Sequence, residues 1–328
     1  MINKEKKTQV ELFGRIQKAI PANQALVDVI SEHLKISTDA AYRRIRGDKM
    51  IDIAETISLC KHFGISLDSL TGNVEDNIIQ GALAPSDLRD MRAHLVYLQN
   101  FSTQMERLRL SAKKEILLSV ADFSVFDFLA NKELVFFHIF SWNKNLYDIP
   151  GTFENFMEGL AVDEFLKYFS KIVRCFQFIP TTEIWTTNSI DSSIKLLRYH
   201  TEMNHFSDKR NSLFICEQLL NLLNTLQSWV KKGTKEESDT PFKFYVSEID
   251  IGNTLILIKN EEDIDCLIRL FTINGLNIKD KKFCKEADNW IHNLIKRSTL
   301  LSGSSDREGL KFFEAQKQKV RFLIDAIS

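Results

Sequence analysis

The first seventy residues carry apolar positions at helical spacing, in short segments joined by short connections. Residues 8–20 and 24–34 each place apolar side chains three and four positions apart, which is typical of amphipathic helices. Ser37 is a favourable N-cap for a third segment, 38–46, and Gly47 is a favourable stop after it. The pattern therefore predicts three short helices in succession.

A D-x-x-E pattern, Asp52 and Glu55, predicts a capping box at the start of a fourth helix, and Gly64 closes it. The apolar residues of 65–70 predict a last helical turn that packs back on the others. Together these segments predict a compact five-helix domain over residues 1–74.

The third helix buries little, because its apolar face consists of two alanines and one isoleucine. Residues 35–49 hold five Lys and Arg against two Asp, a local charge of +3. For an isolated helix a solvated charged face would explain this pattern, but the flanking helices favour a face that enters the major groove of DNA. We predict base readout by Thr38, Asp39, Tyr42 and Arg43, and phosphate contacts by Lys35, Arg46 and Lys49.

The stretch ISEHLKISTDAAYRRIRG, residues 30–47, is followed by the D-x-x-E helix and by HFGISLDSL. This succession resembles the phage-repressor, or XRE-type, helix-turn-helix of bacterial transcription regulators, and the resemblance implies a λ-repressor-like fold that binds double-stranded DNA. Ser31 stands where Ala is usual, Lys35 where a turn Gly is common, and Arg44 where an apolar residue is expected. The register of the third helix is therefore open by one residue.

Residues 75–112 are predicted to form a linker and a long connector helix. Its apolar positions fall at alternating three- and four-residue steps, a heptad pattern with Ser102 as the polar exception. Two interpretations stay open: a parallel dimer seam, or a helix packed on its own chain. The seam would consist of Leu88, Met91, Leu95, Leu98, Met105 and Leu108.

The remainder, residues 113–328, predicts an α+β regulatory or effector domain. Twelve of the 24 Phe lie within 123–178, which indicates a large core among predicted helices. After Pro241, β-rich runs separated by turn signals predict a small antiparallel sheet, and two helices close the chain. The predicted fold class is thus mainly α with a small antiparallel sheet.

Three short segments of this domain, EIW at 183–185, YVSE at 245–248 and STLLSGSSDRE from Ser298, resemble the C-terminal domains of a group of bacterial helix-turn-helix regulators. The resemblance implies an effector role but brings no ligand with it. Glu183 and Trp185 are candidates for a pocket lining, with Trp185 as a core residue the alternative.

Candidate chemistry is sparse. His200 and His205 lie five residues apart, on poorly matched faces of a helix, so we predict no metal site, and no catalytic set or cofactor motif is recognisable. The five cysteines form no C-x-x-C pair and predict reduced thiols. No secretory or membrane-spanning pattern is present, which predicts a cytoplasmic location.

The sequence thus predicts a transcription regulator, not an enzyme, that binds double-stranded DNA as a homodimer and leaves room for a small-molecule ligand of unknown identity. The alternative is a protein-binding adaptor in which the helix-turn-helix only localises the large domain.

Overall fold

The computed structural model describes residues 2–20, 24–65, 67, 70, 81–83, 91–235, 238–261, 263–270, 275–303 and 306–328. The chain divides into two compact units, Met1–Ile78 and Ile79–Ser328. Each unit has its own hydrophobic core.

The first unit contains four helices in the described residues. They are α1 (Ile2–Ala19), α2 (Leu26–Leu34), α3 (Thr38–Ile45) and α4 (Ile53–Phe63). Their inward side chains form one cluster that includes Phe13, Ile16, Ile30 and Leu59. Three of the six residues of the predicted last turn, 65–70, lie outside the described residues.

The predicted caps of this unit are confirmed. The Ser37 hydroxyl accepts a hydrogen bond from Ala40 N, 3.3 Å away, at the start of α3. Asp52 and Glu55 form both hydrogen bonds of a capping box on α4, and Gly64 ends that helix with a φ of 65°. Because a φ in this range is strained for other residues, glycine is the favourable choice there.

The second unit contains nine helices in the described residues. They are α5 (Met91–Leu110), α6 (Val125–Leu129), α7 (Lys132–Tyr147), α8 (Phe153–Glu158), α9 (Val162–Gln177), α10 (Asp191–Glu202), α11 (Lys209–Lys232), α12 (Lys281–Lys296) and α13 (Asp306–Ile327).

One sheet of eight strands runs through this unit. The strands are β1 (Gly81–Leu83), β2 (Lys114–Ser119), β3 (Thr181–Trp185), β4 (Phe242–Val246), β5 (Leu255–Asn260), β6 (Asp263–Arg269), β7 (Gly275–Ile278) and β8 (Thr299–Leu300). Their order across the sheet is β1-β7-β6-β5-β2-β3-β4-β8. Neighbours β2, β3 and β4 are parallel, and the other pairs are antiparallel.

Helices cover both faces of the sheet. Along β2, Ile116 and Leu118 belong to the large helical core, whereas Leu117 packs with α12 on the opposite face. A strand buried on both faces reads as a continuous apolar run, and alternation with polar residues is lost.

The prediction of a small antiparallel sheet is wrong. The sheet is mixed, and its parallel part, β2-β3-β4, arises from helical crossovers. The strand β3 escapes sequence reasoning because its five residues lie between helices and are all buried, so no period-two signal marks it.

The predicted dimer seam is also corrected. Met105 and Leu108 of α5 are fully buried in the core of their own chain, and Leu95 and Leu98 pack against the same core, as does Met91. The polar exception, Ser102, is buried as well and donates to Gln99 O at 2.8 Å. The alternative interpretation, a helix packed on its own chain, accounts for the heptad spacing. Leu88 lies outside the described residues.

Candidate nucleic-acid interface

The helix α3 presents a polar face to solvent. Thr38, Asp39, Tyr42 and Arg43 are all exposed, and Tyr42 retains 51% of its surface. The opposite side is anchored by Ala41, which is fully buried. An exposed tyrosine beside an exposed arginine supplies two hydrogen-bonding side chains on one short helix.

Arg44 settles the register of this helix, because it points inward together with Ala41. It is 6% exposed and forms a bidentate ion pair with Glu55, from Nη2 to Oε1 at 2.7 Å and from Nε to Oε2 at 3.1 Å. The hydrogen bond from Arg44 to Glu55 raises the pKa of Arg44 above its ordinary value. The buried position that would ordinarily hold an apolar side chain is thus filled by a paired guanidinium, and Ile45 is half-buried beside it.

Gln9 of α1 holds the segment that follows α3. Its amide nitrogen donates to Arg44 O at 2.7 Å and Lys49 O at 2.9 Å, and its amide oxygen accepts from Ile51 N at 2.9 Å. Sequence reasoning missed this residue, although it lies three positions before the buried Leu12 and so falls on the inward face of α1. Gln9 fixes the backbone that carries Lys49.

The three residues predicted to contact phosphates are exposed: Lys35, Arg46 and Lys49. Lys35 adopts the left-handed conformation, with a φ of 53°, at the position where a turn glycine is common. Arg46 lies 3.3 Å from Asp48 in a solvent-exposed pair. Because such pairs contribute little, the guanidinium can exchange this carboxylate for a phosphate.

His200 and His205 of the second unit come together, contrary to the spacing argument. His205 lies beyond the end of α10, so the chain turns back and the two Nδ1 atoms lie 2.8 Å apart. Burial lowers the pKa of His200 to about 4 and lowers that of His205 as well. Among the described residues, no group of three or more His, Cys, Asp or Glu side chains is arranged to hold a metal ion.

Glu183 and Trp185 are core residues and are both fully buried. Trp185 Nε1 donates to Glu183 Oε2 at 2.8 Å. Burial and then the neighbouring Asp127 carboxyl raise the pKa of Glu183 well above its ordinary value. The pocket-lining hypothesis is therefore wrong for Trp185, and Glu183 is its buried hydrogen-bond acceptor.

Lys235 is a buried charged residue that the sequence did not reveal. Its Nζ donates to Phe176 O at 2.5 Å, to Ile179 O at 2.7 Å and to Thr181 Oγ1 at 2.7 Å. The same nitrogen lies 3.5 Å from the centroid of the Phe176 ring. Lys235 thus satisfies carbonyls at and after the C-terminal end of α9.

A second buried network joins Asp122, Ser193 and His138. Ser193 Oγ lies 2.8 and 2.9 Å from the two Asp122 oxygens and 3.3 Å from His138 Nε2. The Ser193 hydroxyl donates to the Asp122 carboxylate, and Ser193 is 1% exposed. We therefore interpret these three side chains as a buried hydrogen-bond network, and not as an accessible serine nucleophile.

Within the described residues, no helix combines the length and apolarity that crossing a bilayer requires. No family profile matches the chain, and neither the curated proteins nor the solved structures include a match.

Proposed function

We propose that this protein is a DNA-binding transcription regulator in which α3 reads the major groove. The observation that carries the proposal is the division of α3 into an inward face locked by the Arg44–Glu55 pair and an outward face of four exposed side chains. A helix presented in this way fits the width of the groove, where side chains can distinguish base edges.

The basic residues around α3 support the same proposal. Lys35 precedes the helix, and Arg46 and Lys49 follow it, so positive charge flanks the groove-facing side chains in sequence. Phosphate contacts of this kind fix a protein on the duplex, while base contacts choose the site.

The second unit is the regulatory part in this proposal. It is the larger of the two units and has a core of its own, and we assign sensing and assembly to it. A homodimer stays a prediction, and it requires a surface other than the buried side of α5.

Removal of the flanking charges should weaken binding to every DNA sequence alike. For Lys35→Gln, Arg46→Gln and Lys49→Gln, we expect the slope of log affinity against log salt to fall by about 0.9 for each phosphate that the protein no longer neutralises. Fluorescence anisotropy with random-sequence duplex at several salt concentrations measures the slope. Lys61→Gln, an exposed lysine of α4, is the control. Unchanged slopes in all three variants would contradict the phosphate assignment.

Removal of a base-reading side chain should instead change selectivity. We expect Arg43→Ala to cost about 1–3 kcal/mol on the preferred site and to relax the preference at one base pair. Selection of binding sites from a random pool, followed by titration of single-base variants, measures both effects. An equal loss on specific and random DNA would make Arg43 a phosphate contact. A folded wild-type protein that binds no duplex would remove the proposal and favour the adaptor alternative.

A further inference from the structure

The second unit contains an apolar cavity of about 110 Å³. It lies among α5, α6, α7, α9 and the antiparallel strands β5, β6 and β7. Aromatic and aliphatic side chains form most of its wall, among them Phe101, Phe128, Leu129, Phe165 and Phe169. A concave, mainly apolar wall of this kind is typical of a small-molecule site.

Arg269 supplies a cation to this apolar wall. Its side chain is 14% exposed, and its Nη1 donates to Phe123 O at 3.0 Å. Its Nη2 lies 3.9 Å from Asp122 Oδ2, which is too far for a hydrogen bond. A guanidinium has five N–H groups, and within the described part of the chain only one of them has a hydrogen-bond acceptor.

Asp122 is a weak counter-charge for Arg269, because it is already occupied. Its two oxygens share the single proton of Ser193 Oγ, and Oδ1 also accepts a hydrogen bond from Phe123 N at 2.8 Å. Burial also raises the pKa of the Asp122 carboxyl above its ordinary value. The guanidinium therefore retains both charge and donors on the side of the cavity.

Thr254 lies beside Arg269 at the same end of the cavity. Arg269 N donates to Thr254 O at 2.9 Å, so the two residues are neighbours across β5 and β6. The Thr254 hydroxyl accepts from Ala121 N at 3.1 Å, and its proton is directed to no acceptor in the described residues. Arg269 and Thr254 thus both offer donors at this end of the cavity, and a carboxylate is the group that fits them. His94 and Tyr97 of α5 are the other polar residues of the lining.

We propose that this cavity binds a small monocarboxylate, with the carboxylate on Arg269 and Thr254 and a short hydrocarbon body among the phenylalanines. The volume of about 110 Å³ lies below that of the ~150 Å³ protein cavity that binds benzene, so the hydrocarbon body has no more than about four carbon atoms. A neutral apolar molecule would leave Phe123 O as the one acceptor of the guanidinium among the described residues, and inorganic phosphate would leave the apolar wall unfilled. The ligand's role as the regulator's signal rests on the proposed function.

Calorimetric titration of the full chain with isovalerate tests the site, and isovaleramide has the same shape without the charge. We expect saturable binding of isovalerate and at least tenfold weaker binding of isovaleramide and of inorganic phosphate. Equal affinities for isovalerate and its amide would overturn the proposal. So would the absence of heat from both isovalerate and butyrate.

Two variants test the location. Arg269→Gln should lose at least tenfold in isovalerate affinity, whereas Arg198→Gln, an exposed arginine of α10, should retain it. Leu129→Phe keeps the guanidinium but fills the cavity, so this variant should also lose isovalerate binding. It provides the test of location if Arg269→Gln does not fold. Wild-type affinity in Leu129→Phe would place the ligand elsewhere and overturn the assignment.

The DNA titration repeated with saturating isovalerate separates this site from the proposed function. A changed DNA affinity supports the signalling role. Isovalerate binding by a chain that binds no DNA would remove the proposed function and leave the cavity assignment standing. DNA affinity unchanged at saturation would overturn the role as signal.

Discussion

Replacement of Lys235 by methionine is expected to destabilise the second unit by about 2–4 kcal/mol, because it removes three buried hydrogen bonds. The three acceptors around Nζ need three hydrogens, so the ammonium form is the one that fits the core. Burial lowers the pKa of Lys235 well below its ordinary value, while the carboxyls of Glu183 and Asp127 act in the opposite direction. Methionine fills the space but removes one donor from each of the Phe176 and Ile179 carbonyls and the donor to Thr181 Oγ1, while Ile179 N and Thr181 Oγ1 go on donating to the two carbonyls.

Tryptophan fluorescence in urea measures this effect in the full chain. All four Trp, at positions 142, 185, 229 and 290, lie in the second unit, so the signal reports on that unit alone. Lys231→Met removes an exposed charge four residues earlier and is the matched control, for which the midpoint should not move. A Lys235→Met midpoint equal to that of wild type would show that the three acceptors find other donors.

Replacement of His138 by phenylalanine should remove part of the acid sensitivity of the second unit. Burial, and then the positive charge of Arg269 and the neighbouring His200, lower the pKa of His138 to about 3. The unfolded chain protonates this histidine below its ordinary pKa, near 6.5, whereas the folded protein keeps it neutral down to about pH 3. The stability that is present above pH 6.5 is therefore lost as pH falls toward 3. Between pH 7 and 4.5 the wild type should therefore lose about 2–3 kcal/mol more than the variant.

The difference between the wild-type protein and His138→Phe reports on His138, because the other buried titratable groups are present in both proteins. Burial raises the pKa of Asp127 to about 6, which opposes the effect of His138, but this contribution cancels in the difference. The phenylalanine ring has suitable neighbours, since the Phe128 ring centroid lies 4.1 Å from the imidazole centroid, and Ser193 keeps Asp122 as its acceptor. His292→Phe, an exposed position of α12, is the control. Identical pH profiles for His138→Phe and wild type would contradict the assigned pKa shift.

The first unit was largely predictable because its signals are local. A cap such as Ser37 acts on the backbone three residues away, and the Asp52 and Glu55 box closes within one turn, so sequence spacing contains the geometry. The long-range pairing of Arg44 with Glu55 was not predicted, although both residues were noted separately. An arginine in an inward position looks like a departure from the pattern until its partner is known.

The second unit defeated sequence reasoning at points where distant segments meet. Lys235 lies in a polar stretch that predicts a loop. No local sequence pattern indicates that its Nζ will donate to carbonyls at and after the end of α9. Arg269 falls in a predicted β-rich run. Its neighbour Thr254 could be identified only from the pairing of β5 with β6. The same is true of β3, whose parallel partners are separated from it by whole helices.

The position of β2 in the middle of the sheet has a consequence for synthesis on the ribosome. Its antiparallel neighbour β5 lies about 140 residues further along the chain, with Ser119 opposite Leu255. At ordinary elongation rates β2 therefore emerges roughly 10–30 s before that neighbour is made. The first unit can complete its own core during this interval, whereas nascent chains of the second carry an apolar strand with open edges. Until β5 is made, the edge of β2 that pairs with it stays open, and an open apolar edge is prone to aggregation.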